Sequence, residues 1–207
     1  MHIGKIFAWL FRAILIILAF DLILSQEFIA AMIYIFIAVL SLLPIMLDEI
    51  YSTELHWVYD LLWSFMLAIH MLGFGGFYYF VPVWDDLGHI VGSAIIGFFG
   101  FSIFYALNKD HRLRLTLPQV AFLSVLLTVT VGALWEILEF VWDNIVLFSF
   151  SYGFAQNSLF DTMIDLVFDF TSAIMIAMIL VFLIRKYTAR FEKVFKPIEK
   201  IFRPRLP

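Results

Sequence analysis

Residues 87–107 read LGHIVGSAIIGFFGFSIFYAL, without one aspartate, glutamate, lysine or arginine. A helix rising about 1.5 Å per residue crosses the hydrocarbon of a bilayer in about 20 mainly apolar residues, and this run has that length. Asp85 and Asp86 stand before it and Lys109 just after it, so charge marks both ends. Apolar and polar residues do not alternate along it, which speaks against a barrel strand. On either side, five more segments meet the same standard, at roughly 6–25, 28–47, 57–80, 118–146 and 161–184. The expected fold is all-α: a polytopic membrane helix bundle of about six transmembrane helices occupying residues 1–186. Composition agrees. The 207-residue chain is 64% hydrophobic and 14% charged, against about 45–50% and 25% in soluble domains. One water-soluble core could not hide that much apolar surface.

The N-terminal twenty residues have the basic start and apolar run of a signal peptide. No small-residue cleavage site follows, and Asp21 and Glu27 come next, so they are expected to stay as the first helix. Pro44, Pro82 and Pro118 fall near segment ends, where a missing N–H matters least. The chain has no cysteine, which excludes disulfides, thiolate metal ligands and a cysteine nucleophile.

Lysine and arginine set orientation. Lys5 and Arg12 precede or begin the first span, Lys109, Arg112 and Arg114 lie between the fourth and fifth, and eight basic residues run from Arg185 to Arg205. Six spans put all three groups on one side, so both termini are expected in the cytoplasm of a plasma membrane. The acidic loop with Asp48, Glu49 and Glu54 shares that side. In residues 187–207, Tyr187, Phe191, Val194, Phe195, Ile198, Ile201 and Phe202 recur at helical spacing among basic residues. This tail is expected to be a basic amphipathic helix on the anionic inner leaflet, bent at Pro197.

The acids of the second half are the anomaly. Asp85 and Asp86 open the fourth span and His89 follows within a turn; Glu136 and Glu139 lie late in the fifth; Asp161, Asp165 and Asp169 recur every four residues at the start of the sixth. Helical rise puts these groups at a similar depth, in the outer half of the bilayer. An ionisable group in a span is expensive and faces a cavity or a partner. No lysine or arginine is near in sequence, so protons or a cation must neutralise the cluster. Asp86, His89, Glu136, Glu139, Asp161 and Asp165 form the expected ligand set for one or two divalent metal ions, since carboxylate and imidazole suit zinc, manganese, iron or magnesium. Asp85 and Asp143 also read as end-of-helix groups in interfacial water. Asp169 also reads as facing water or pairing with Thr171. His70, Gly73, Gly75 and Gly76 are candidates to line the same cavity. Gly88, Gly92, Gly97 and Gly100, with Ser93, give the fourth span a small-residue surface for close packing.

These residues carry a resemblance. Trp84-Asp85-Asp86-Leu87-Gly88-His89, Glu136-x-x-Glu139-Phe140 and Phe160-Asp161-Thr162-x-x-Asp165 resemble the YjdF-like family of uncharacterised bacterial inner-membrane proteins and, more remotely, the VanZ-like family. The likeness covers roughly residues 44–184. It implies the membrane topology and the motif residues rather than a reaction. The family's basic residue before the histidine is Leu87 here, and its phenylalanine after it is Ile90.

There is no P-loop, nucleophile elbow, dinucleotide fingerprint or basic groove for nucleic acid. The leading reading is a metal-binding membrane protein, with a metal-dependent reaction on a lipid or lipid-linked substrate at the outer leaflet. Its rivals are a proton- or cation-coupled transporter and a structural or partner-binding membrane protein. Transport meets one difficulty, because the inner halves of the last three spans lack ionisable residues and the third offers only Asp60.

Overall fold

A computed structural model describes residues 2–81, 83–110, 112–146 and 158–202. Pro82, most of the break expected at 147–160, and the last residues of the tail lie outside them. The described residues are all helical apart from short connections: α1 (Ile3–Leu24), α2 (Phe28–Leu40), α3 (Leu43–Tyr51), α4 (Trp57–Leu72), α5 (Tyr78–Phe80), α6 (Trp84–Lys109), α7 (Leu117–Val141) and α8 (Leu159–Phe202). They make six helical stretches long and apolar enough to cross a membrane, at the six places expected. Leucine, isoleucine and phenylalanine cover the outside of these helices, as lipid-facing surfaces require.

α6 is the most buried of the six and packs against α7, α8 and α4, while α1 packs against α2 and α4. Residues 87–107 are therefore the hub of the bundle. Gly97 lets α8 come close: a β-carbon there would stand 2.7 Å from Ile176 Cγ2. On the α7 side, the Ser124 hydroxyl donates to the Gly97 carbonyl at 2.7 Å. Small residues and hydroxyls hold helices together where lipid offers no hydrophobic drive.

Three departures from regular helix shape the first five spans. The second span breaks between α2 and α3, at Ser41 and Leu42. Pro44 has no N–H for the Leu40 carbonyl, which accepts from the Trp63 indole at 2.9 Å instead. The Ser41 carbonyl accepts from Arg12 at 2.7 Å. The third span continues from α4 through a π-turn, Gly73–Phe77, into α5, and Gly76 has φ 122°, a conformation L side chains avoid. Gly73 also lacks the β-carbon that would strike the Tyr78 ring at 2.4 Å. A second π-turn, Trp142–Val146, extends α7.

Arg12 corrects one expectation. It is not a basic residue at the membrane edge: it is 2% exposed, inside α1, and its guanidinium is paired with Asp60 of α4. Asp60 is thus neutralised by a partner 48 residues earlier in the chain.

The tail differs as well. α8, from Leu159 to Phe202, is two helical stretches that meet at a kink at Tyr187 (φ −132°, ψ 42°), not at Pro197, which sits within the second stretch. Beyond the bend, Phe195 and Ile198 are buried with Phe98, Phe101 and Tyr105 of α6 and with Leu55 and Tyr59. Lys109 and Glu192 form an exposed ion pair at 2.9 Å beside them. The apolar stripe is as expected, but protein covers its centre, because α6 extends aromatic residues to the end of the bundle. We call this the terminal end; the start of α1 is also there, with Gly4 against Trp57. The opposite end is the distal end.

Candidate functional site

Alternation of direction brings the starts of α6 and α8 and the finish of α7 to the distal end. All three carry their acids there. The centre is His89, 5% exposed. Its Nδ1 lies 3.1 Å from Asp169 Oδ1, and the Ser93 hydroxyl donates to that same oxygen at 2.5 Å. Asp85, His89 and Ser93 share one face of α6, and Asp165 and Asp169 one face of α8, because each step is four residues. The other Asp169 oxygen is buried without a hydrogen bond among the described residues. It presses on Gly132 of α7, where a β-carbon would stand 2.0 Å away. Glycine at this position is what admits the carboxylate between α7 and α8.

The remaining imidazole nitrogen, Nε2, is 3.5 Å from Glu136 Oε1 but makes no hydrogen bond. One ring nitrogen of His89 and one oxygen each of Asp85 and Asp165 lie within 4.8 Å of one another. Glu139 is buried on the same helix as Glu136, one turn on, and accepts from the Trp135 indole at 2.8 Å. Four acids are therefore less than a tenth exposed here: Glu136, Glu139, Asp165 and Asp169. Among the described residues no lysine or arginine forms an ion pair with Glu139, Asp165 or Asp169. Charges taken out of water need a counter-charge or a proton.

The structure thus gathers His89, Glu136, Glu139 and Asp165 of the expected set. Asp86 is partly exposed and outside the three-group cluster, where Asp85 stands instead. Asp161 is a partly exposed first-turn residue, with its N–H on the Ser158 hydroxyl at 3.2 Å. Asp169 does not pair with Thr171, whose hydroxyl returns to the Val167 carbonyl at 2.8 Å. The four-residue steps from Asp85 to His89 and from Asp165 to Asp169 were the available signal for both missed acids.

His70 of α4 forms one wall. Its Nε2 is 3.3 Å from where a β-carbon on Gly92 would stand, so the α6 glycines make room for the ring. Trp135 lies beside it, with ring centroids 5.1 Å apart. The π-turn folds Tyr78 back until its hydroxyl is 3.4 Å from His70 Nδ1.

Imidazole and carboxylates of this kind bind protons or hard-to-borderline divalent cations. A histidine fixed by a carboxylate on one nitrogen, with the other nitrogen free among acids, is also how metal-ligating histidines are oriented.

Comparison with known proteins adds family but not activity. The chain is 34% identical over 150 residues to an uncharacterised protein of Thermotoga maritima, covering 72% of this chain and 73% of the other. No solved structure matches it. The YjdF-like resemblance fits these matches, which do not extend to the VanZ-like family. Residues 4–186, nearly the whole membrane bundle, match the family described as "Predicted membrane protein (DUF2238)", and the chain belongs to that family.

Proposed function

We propose that this protein holds a divalent cation at the distal end of its bundle and uses it on a lipid or lipid-linked substrate at the outer leaflet of the plasma membrane. The lysine and arginine asymmetry supports that orientation, with both termini in the cytoplasm. The observation that carries the reading is the state of His89: Nδ1 is engaged by Asp169, while Nε2 is buried, not hydrogen-bonded, and 3.5 Å from Glu136 Oε1. His89, Asp85 and Asp165 would hold the ion, with Glu136 facing Nε2 across the gap. Asp169 and Ser93 orient the imidazole. Such a cation would supply Lewis-acid activation of water, and Glu139, which accepts from the Trp135 indole, would be the carboxylate left to take a proton.

The Arg12–Asp60 pair supports this reading over transport. Asp60 was the acid available to continue a pathway toward the terminal end, and it is already neutralised. The test is metal content by elemental analysis of protein purified in detergent, with and without His89→Ala, followed by incubation with membrane lipids. Metal lost in the variant, together with lipid modification by wild type, supports the proposal. Metal-dependent uptake into vesicles without lipid modification would transfer the site to a transporter.

A further inference from the structure

We infer that the bundle carries a phospholipid site at its terminal end, separate from the acid cluster: a groove between α7 and α8 that holds one acyl chain of an anionic phospholipid with its phosphate on Arg185. α7 and α8 meet tightly where Gly132 receives Asp169. Toward the terminal end a groove of about 440 Å³ lies between them. Ala121 and Val125 line it from α7, and Ala177, Met178 and Val181 from α8; Arg185 is the charged residue in its lining.

Three observations select the occupant. The α8 side runs from Ile174 to Arg185, about 16 Å by helical rise, close to the roughly 15 Å depth of one leaflet's hydrocarbon. The lining is apolar along that length, which suits an acyl chain and excludes a soluble polar ligand. At the end of the groove stands Arg185, exposed and without an ion pair to any described residue. A guanidinium at headgroup level binds a phosphate through two parallel N–H bonds, and an anionic lipid adds electrostatic preference over a zwitterionic one. Beside it, Lys186 rests over the rings of Phe182 and Tyr187, which leaves Arg185 as the groove's phosphate contact.

The experiment is native mass spectrometry of the full chain in detergent, titrated with phosphatidylglycerol and with phosphatidylcholine of the same acyl chains. Wild type should retain one phosphatidylglycerol with at least five-fold preference over phosphatidylcholine. Arg185→Gln should reduce that preference to below two-fold. Arg190→Gln removes an equal charge from an exposed position outside the groove lining and should leave the preference intact. Met178→Trp, at a position 62% exposed, fills the groove from the lipid side and should weaken retention of both lipids. Thermal unfolding of each variant confirms that it is folded. Equal loss with Arg185→Gln and Arg190→Gln would reduce the effect to surface charge and overturn the site. Unchanged retention in Met178→Trp would show that lipid sits elsewhere.

Discussion

At the scale of single residues, the site depends on contacts that leave little room. Gly132→Ala would place a methyl group on Asp169 Oδ2. Overpacking of this kind costs about 1–3 kcal/mol. We expect a lower melting temperature together with weaker metal retention, because Asp169 can yield only by releasing His89. Asp169→Asn separates the two effects. It keeps the size of the side chain and loses the carboxylate that orients His89, so metal affinity should fall about 10–100-fold, while Asp86→Asn changes it little. Titration with a competing chelator reads both. The Arg12–Asp60 pair makes the second residue-scale prediction. Arg12→Met or Asp60→Leu alone strands a buried charge, which costs about 3–5 kcal/mol. The double variant should recover most of that loss in thermal unfolding. Failure of the double variant to recover would mean that the Arg12 bond to the Ser41 carbonyl matters more than the ion pair.

At the scale of elements, the spans were legible because bilayer thickness imposes one length on every apolar run. What interrupts a span was less legible. Pro44 signalled an end, yet it lies in the first turn of α3, because Trp63 and Arg12 satisfy the freed carbonyls. Nothing local in the sequence says that α1 and α4 will be neighbours, so the Arg12–Asp60 pair could not be read from spacing. The choice of Asp85 over Asp86 turns on the rotation of α6, which packing decides and periodicity does not. The tail shows the same limit: its amphipathic stripe was visible, whereas its partner was not. Phe195 is 1% exposed among the α6 aromatics. Truncating a buried phenylalanine to alanine costs about 3–5 kcal/mol, so Phe195→Ala should lower the melting temperature clearly and Lys193→Ala hardly at all. Equal, small effects would return the tail to the lipid surface.

At the scale of the whole molecule, the bundle has a polar asymmetry. The acid cluster around His89 lies at the distal end, and the lysines and arginines of the described residues lie toward the terminal end. The absence of cysteine makes the orientation directly measurable. Cysteine introduced at Arg112, in the connection after α6, and at Tyr79, 85% exposed at the other end, should react with an impermeant reagent from opposite sides, Tyr79→Cys from outside. Same-side labelling would break the six-span arrangement. A cation at His89 is measurable by elemental analysis of purified wild type beside His89→Ala and Asp165→Asn. Wild type should hold close to one equivalent of a divalent metal and both variants should lose it, with a lower melting temperature, since a ligand bound only by the folded state stabilises it. Metal-free wild type that gains no stability from added zinc, manganese, iron or magnesium, with Asp165→Asn as stable or more so, would contradict it and make the cluster a set of protonated acids.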